Sequence, residues 1–220
     1  SIDRKEIVDH ITQLNEPVEN RCIPQLLTKG VDRNIIENNN PHLAKKLLEE
    51  GLKEEGISLK DFQPEFLTGT SFLHRKIAET LQQKWQKNLG INIRLSPREE
   101  KMYHEKLHRH DFSIGLALWI VQFNDPMNIL ERFKYKNHTK NYAHWENPSY
   151  IQKLNEITKT EDLTLREKKI NEAESIFMEE LPIAPLYHHR YSLMIKKNIQ
   201  GLFVGPVGDV HIENALKDQL

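Results

Sequence analysis

The chain has 220 residues, with 31 basic against 32 acidic side chains and a formal net charge of −1. That is enough for one large domain or two small ones, and the charges are interspersed, so no basic stripe marks nucleic acid or an anionic membrane as a partner. Hydrophobic residues at 38% can fill a core, no apolar run approaches the ~18 residues that span a bilayer, and the lone Cys22 excludes an internal disulfide.

The chain opens inside a helix signature. Asp3 and Glu6 fit a capping box, Ile7 and Ile11 follow at apolar spacing, and a helix is predicted over residues 3–13. Such a start is expected of the C-terminal piece of something longer. A polar connection covers residues 15–40 and carries Pro17, Pro24 and Gly30. Asn40-Pro41 then caps and opens a helix with Leu43, Leu47 and Leu48 on one face, which fades over residues 51–56. Residues 65–68 form a strand candidate. The clearest helix spans residues 71–89, where Leu73, Ile77, Leu81 and Trp85 recur every four positions before Gly90 stops it.

Residues 91–95 alternate at a strand period, and Ser96-Pro97 reads as the cap of a helix reaching residue 109. The apolar run 113–121 predicts a strand covered on both faces. Asp125-Pro126 opens a helix to residue 133, with Asp125 as its cap, and a loop rich in Lys, Asn, His and Tyr fills residues 134–145. Two helices follow, over 147–158 with Tyr150, Ile151, Leu154 and Ile157 inward, and over 164–181 carrying Ile170, Ala173, Ile176, Phe177 and Leu181. Residues 183–187 and 192–196 are expected to pair as strands, and the residues from Gly201 onward lack a helical face. Alternating helices and strands predict an α/β fold with a mixed sheet flanked by helices.

Leu118 to Pro126 is the most informative stretch: an apolar strand ends in an aromatic, passes through a polar turn and restarts as a helix. An aromatic at a strand mouth beside polar groups makes a ligand-facing edge. Trp119, Gln122, Asp125 and Pro126 also resemble the "Trp-x-x-Asp-x-x-Asp/Glu-Pro" segment of periplasmic oligopeptide- and dipeptide-binding proteins, the family 5 solute-binding proteins of ABC peptide importers. Five further blocks resemble that family in order. They are the opening at Ile2-Asp3-Arg4, the helix over residues 41–51, the run Leu81-Gln82 to Trp85 and on to Leu89-Gly90-Ile91, Asp111-Phe112-Ser113-Ile114, and Leu181-Pro182-Ile183-Ala184-Pro185-Leu186-Tyr187. Together they reach from residue 1 to about residue 201.

The resemblance implies a periplasmic-binding-protein-like (type II) lobe that closes over ligand by hinge motion. Residues 1–190 would be the C-terminal ligand-binding lobe, and residues 191–220 would return toward an N-terminal lobe upstream. It implies a peptide ligand, ABC permease subunits as partners, a monomer, and a periplasmic or lipid-anchored extracytoplasmic location, with no cofactor or metal. Leu118 and Trp119 would offer backbone groups to an extended peptide, and the Trp119 ring would wall a pocket, unless it belongs to the core.

Gln122 stands where the family's Asp pairs with a peptide ammonium. A neutral amide cannot neutralise a buried ammonium, so the ligand's amine is blocked or placed elsewhere, or pairs with a carboxylate from the lobe upstream, or Gln122 is a surface residue and the anchor has shifted; Asp125 is the nearby substitute, although Asp before Pro at a helix start favours a cap. Ser71 and His74 lie in a Thr-Ser-x-Leu-His segment that in oligopeptide binders lies near ligand; a solvated first-turn residue is the other reading of His74. His188 and His189 replace family Tyr residues, and His189 is the candidate donor. The Arg residues that some relatives use for peptide carboxylates are not matched, since Gly115-Leu116-Ala117-Leu118 precedes Trp119.

The alternative is an enzyme. His104-Glu105-Lys106-Leu107-His108 is formally H-E-x-x-H, which on a helix puts two zinc ligands on one face with Glu as general base. A catalytic zinc needs a third ligand, and Ile114 sits where one continuation of the motif would place it.

Overall fold

Side-chain caps decide where four of the helices begin. Asn40 accepts from the Leu43 amide at 2.9 Å to start α2 (Pro41–Glu55), after the short α1 (Arg4–Glu6) and a π-helical turn (Ile7–Thr12). Ser71 accepts from the His74 amide to start α3 (Phe72–Leu89), Asn147 from Tyr150 to start α6 (Pro148–Thr158), and Asp162 from Leu165 to start α7 (Leu163–Glu180). Each cap satisfies one of the orphan donors of a first turn. Gly90 ends α3 at φ 75°, a left-handed conformation that a Cβ would strain. Between these lie α4 (Glu100–His108) and α5 (Met127–Leu130), the latter continued by a 3₁₀ turn (Glu131–Phe133). This computed structural model describes residues 1–24, 27–28, 36–190, 192–205 and 208–217.

The opening helix is not α-helical throughout. Asp3 caps Glu6 at 3.1 Å, but the return half of the box is missing because the Glu6 carboxylate pairs with Lys84 on α3. The next turn widens, and the Gln13 amide reaches back to the Val8 carbonyl.

Three parallel strands, β1 (Glu65–Gly69), β2 (Arg94–Arg98) and β3 (Ile114–Gly115), form a sheet in the order β2-β1-β3. Helices α3 and α4 connect them, as parallel pairing requires. Antiparallel pairing occurs elsewhere: β4 (Ile199–Gln200) with β7 (Leu216–Lys217), and β5 (Phe203–Val204) with β6 (Val210–His211) nested inside. The α/β class therefore holds. Among the described residues no helix is long and apolar enough to cross a membrane.

Three sequence expectations need correction. β2 starts opposite Glu65 at Arg94, so Ser96 and Pro97 lie in the strand and do not cap α4. Pro97 is tolerated because β2 is an edge strand. The run 113–121 is strand only at Ile114–Gly115. With Leu67 opposite Gly115, β1 ends only two residues further on, so nothing remains for the later residues to pair with. Residues 183–187 pair with no strand at 192–196. Tyr187 instead bridges Val18, the Glu19 amide donates to Leu186 O at 3.2 Å, and His188 N donates to Pro17 O at 3.2 Å.

The core has three parts. Ile7, Phe66, Ile77, Leu81, Ile91 and Ile93 fill the space between sheet and α3. Leu67, Tyr103, Leu107 and Tyr142 lie under α4. Ile23, Leu130, Phe133, Tyr150, Leu154, Ile157, Ile170 and Phe177 join α5, α6 and α7. Trp119 packs against both of the last two.

A buried ion pair ties the segment after α1 into this core. Arg21 Nε donates to Glu174 Oε2 at 3.1 Å, and the Ile23 amide donates to Glu174 Oε1 at 2.8 Å. Both side chains are at least 95% buried. Removing one partner of such a pair strands the other charge, so Glu174→Ala is expected to lower the unfolding free energy by about 3–5 kcal/mol in urea melts; a loss below about 1 kcal/mol would contradict the pairing.

His74 gives a second stability test. Its Nδ1 accepts from the Gly69 amide at 3.2 Å, and burial lowers its pKa below the ordinary 6.5, with Glu100 partly opposing. The unfolded chain takes up this proton near pH 6.5, whereas folded His74 resists it. Stability from this group is therefore present above that pH and falls as pH drops through it. In His74→Asn, the stability lost between about pH 7.5 and 5.5 is expected to be smaller than in the wild type; equal losses would contradict the burial of a neutral imidazole.

Candidate functional site

The sheet ends before the apolar run does, and that mismatch builds the site. The last ladder bond runs from the Leu116 amide to Leu67 O at 3.0 Å, and the Tyr103 hydroxyl takes Leu116 O. Among the described residues, the backbone N–H and C=O groups of Ala117, Leu118 and Trp119 have no hydrogen-bond partner. The segment is nevertheless held at both ends. Arg132 donates to Ile120 O at 3.0 Å, and the Gln122 amide donates to Asn128 Oδ1 at 3.2 Å. The Met127 amide donates to Asp125 Oδ1 at 2.8 Å, and Asp125 binds Arg166 through both oxygens, so Asp125 braces the turn ahead of α5 while Pro126 takes the N-cap position.

This open edge borders a cavity of 810 Å³. Residues 182–189 form a second wall, Glu19, Arg21 and Cys22 a third, and His110, Tyr142 and His144 border it as well. Burial pushes the Cys22 thiol well up, so it packs as a neutral side chain. Leu118 and Ile120 are 55% and 53% exposed, whereas the Trp119 ring between them turns inward. That ring lies edge-on to Phe133 at 5.1 Å and stacks near Tyr142 at 6.2 Å, so both readings of Trp119 apply: it is core on one side and cavity wall on the other. Its indole Nε1 is buried without a partner among the described residues.

Of the sequence-derived candidates, the structure brings Leu118, Trp119 and His189 to the cavity. Gln122 is exposed and lies outside the lining, as do Ser71 and His74. Ser71 and His74 form the turn from β1 into α3, where their polar atoms are engaged with local backbone. His189 Nδ1 contacts the buried Glu16 carboxylate at 3.2 Å, and His188 contacts Glu19. Glu19, Arg21, Arg132 and Tyr142 also line the cavity and carry no local sequence signal, because they come from the polar connection, the turn after α5 and the loop 134–145.

The H-E-x-x-H residues lie on α4, but each histidine has its own partner. His104 Nε2 pairs with Glu100 at 2.8 Å, and His108 Nδ1 meets Thr139 O at 2.9 Å. Among the described residues no group of three metal-binding side chains comes together.

Residues 1–141 match the bacterial extracellular solute-binding proteins, family 5 Middle. The oligopeptide-binding protein OppA of Bacillus subtilis is 36% identical over 98% of this chain, and the chain spans 40% of that relative's length. The periplasmic murein peptide-binding protein MppA of Escherichia coli is 31% identical over 66% of the chain and 27% of its own length. Among solved structures, the dipeptide-binding protein of Pseudoalteromonas sp. SM9913 in complex with Met-Leu superposes with a TM-score of 0.82 at 25% identity, over 99% of this chain and 43% of that one. The substrate-binding domain of an oligopeptide ABC transporter from Bacillus anthracis shares the fold at a TM-score of 0.86 and 21% identity, over the whole of this chain and 44% of its own. With the strand-edge cavity of a type II binding-protein lobe and a family match across most of its length, this chain belongs to the family 5 extracellular solute-binding proteins, which are binding proteins and not enzymes.

Proposed function

We propose that this chain is the C-terminal, ligand-binding lobe of the substrate-binding component of an ABC-type peptide importer, working outside the cytoplasm with membrane permease subunits. The observation that carries the reading is the unpaired backbone of Leu118 and Trp119 along the cavity. An extended peptide supplies the missing strand, and its main-chain groups bond there without regard to its sequence. The names of the B. subtilis relative and of the Met-Leu complex support a peptide as ligand. Trp119 walls a side-chain pocket with its ring. His189 stands at the opposite wall as a donor. Ser71 and His74 shape the β1–α3 turn, so their part in binding is the indirect one of fixing the sheet's end. Gln122, neutral and exposed, stands beside the edge without the charge to hold an ammonium.

Residues 1–190 act as the lobe, and residues 191–220 return toward the rest of a longer protein that is monomeric and either periplasmic or membrane-anchored outside the cytoplasm. Supporting this, Leu193, Met194, Ile195, Phe203, Ile212 and Leu216 are exposed, an apolar surface that a lone domain rarely leaves in water.

Calorimetry on the full-length protein tests the reading. Tri- and tetra-alanine are expected to bind with micromolar or tighter affinity, and Trp119→Ala to weaken them about tenfold or more. Trp119→Phe keeps part of the core contact and is expected to fall between. A wild type that binds no short peptide would refute the reading. The same protein is expected to carry no stoichiometric zinc by elemental analysis; one zinc per chain, lost in His104→Ala, would put metal chemistry on α4 instead.

A further inference from the structure

The cavity's charged groups Arg21 and Glu19 each have polar partners within the protein. Arg21 is paired with Glu174, and Glu19 faces His188 while accepting the Asn20 and Arg21 amides at 3.1 and 3.0 Å. Arg132 differs. It lines the cavity just below the Trp119–Gln122 corner, and among the described residues no carboxylate lies within ion-pair distance of it. Its Nε donates to Asn128 O at 3.0 Å, and its Nη2 donates to Ile120 O at 3.0 Å and Asn128 Oδ1 at 3.3 Å. Those neutral acceptors occupy three of its five N–H groups, and they hold the guanidinium in one orientation. The Nη1 amino group, with two donors, has no partner among the described residues.

The titratable groups that act on Arg132 are the Tyr142 phenol and the Cys22 thiol, and neither is a carboxylate. Burial works against its charge, so the site gains from any anion brought to it. Gln122, next along the edge, adds no opposing charge.

We infer that Arg132 is a specificity-determining residue, and that the Trp119–Gln122 end of the cavity receives a carboxylate of the ligand through the free Nη1 donors of Arg132. This rests on the peptide-binding reading and deepens it by naming the ligand chemistry at one end. The carboxylate is either an acidic side chain or the peptide's own C-terminus; both present the same planar anion to a guanidinium. An ammonium at this end is disfavoured by the same uncompensated charge.

The test is calorimetry on the full-length protein with four probes: Asp-Ala-Ala-Ala and Asn-Ala-Ala-Ala, each as free acid and as C-terminal amide. The wild type is expected to prefer a probe carrying the recognised carboxylate by about tenfold or more over its neutral counterpart. Dependence on Asp against Asn identifies a side chain; dependence on acid against amide identifies the terminus. Arg132→Gln is expected to bring that ratio within about twofold of unity, weakening the probes that carry the recognised carboxylate more than the carboxylate-free Asn-Ala-Ala-Ala amide, which loses only what release of the Ile120 clamp costs. Arg132→Lys keeps the charge and loses the fork, so an intermediate ratio is expected, which gives a second reading should Arg132→Gln fail to fold. Equal weakening of acidic and neutral probes by Arg132→Gln would make Arg132 only a latch on Ile120 and overturn the inference. Equal wild-type binding of all four probes would overturn the inference alone; no binding by any probe would remove it together with the peptide reading.

Discussion

Much of this structure hangs on one carboxylate. Glu174 sits in the middle of α7, where a charge in an apolar core is costly unless fully partnered. Among the described residues its partners come from the segment after α1: the Arg21 guanidinium on one oxygen and the Ile23 amide on the other. By drawing them in, α7 seats Ile23 among Leu130, Phe133, Tyr150 and Phe177 and fixes the residues just before it. Those residues include Glu19 and Arg21, which form a wall of the cavity, and Val18, which bridges Tyr187 in another. A polar requirement inside α7 thus places two walls of the site.

The third wall follows from a shortage of partners. A parallel sheet buries its strands when every strand has neighbours of matching length. Here β1 is five residues long and turns directly into α3, capped by Ser71, so its register leaves β3 only two paired residues. The chain beyond is clamped at both ends, by Arg132 on Ile120 O and by Asn128 on the Gln122 amide. Clamping matters energetically. An edge already held in place gives up little conformational entropy when a guest strand docks, so more of each backbone hydrogen bond is left as affinity.

How much of this was legible in the sequence depended on whether the cause was local. Helices α2, α3, α6 and α7 could be read because a cap residue and an apolar period of three to four lie within a few positions of each other, as in Asn147-Pro148 followed by Tyr150, Leu154 and Ile157. The faces of residues 91–95 were also legible, since Ile91 and Ile93 are buried. Their pairing was not, because the register of β2 is set by Glu65 opposite Arg94, a contact across 29 residues. The run 113–121 had the composition of a buried strand, and only the length of β1 decides otherwise. Within the site, Trp119 and Leu118 showed themselves as the end of an apolar run, and His189 through the family pattern. Glu19, Arg21, Arg132 and Tyr142 did not, because each reaches the cavity from a connection whose course is dictated by distant groups.

That division explains where specificity can reside in such a lobe. On the proposed reading, the main-chain edge at Leu118 and Trp119 would offer the same donors and acceptors to any extended peptide and supply affinity with little choice. Choice must come from side chains that meet particular ligand groups, and a charge that the protein leaves uncompensated is the strongest of these, since it penalises the wrong ligand as well as favouring the right one. Arg21 and Glu174 cancel within the core and are invisible to a ligand. Among the described residues Arg132 is held in place by carbonyl and amide oxygens only, an arrangement that orients a cation without neutralising it. Of these bonds, the one to Ile120 O also clamps the open edge, so on the proposed reading the position of this corner and its preference among ligands would arise from one side chain.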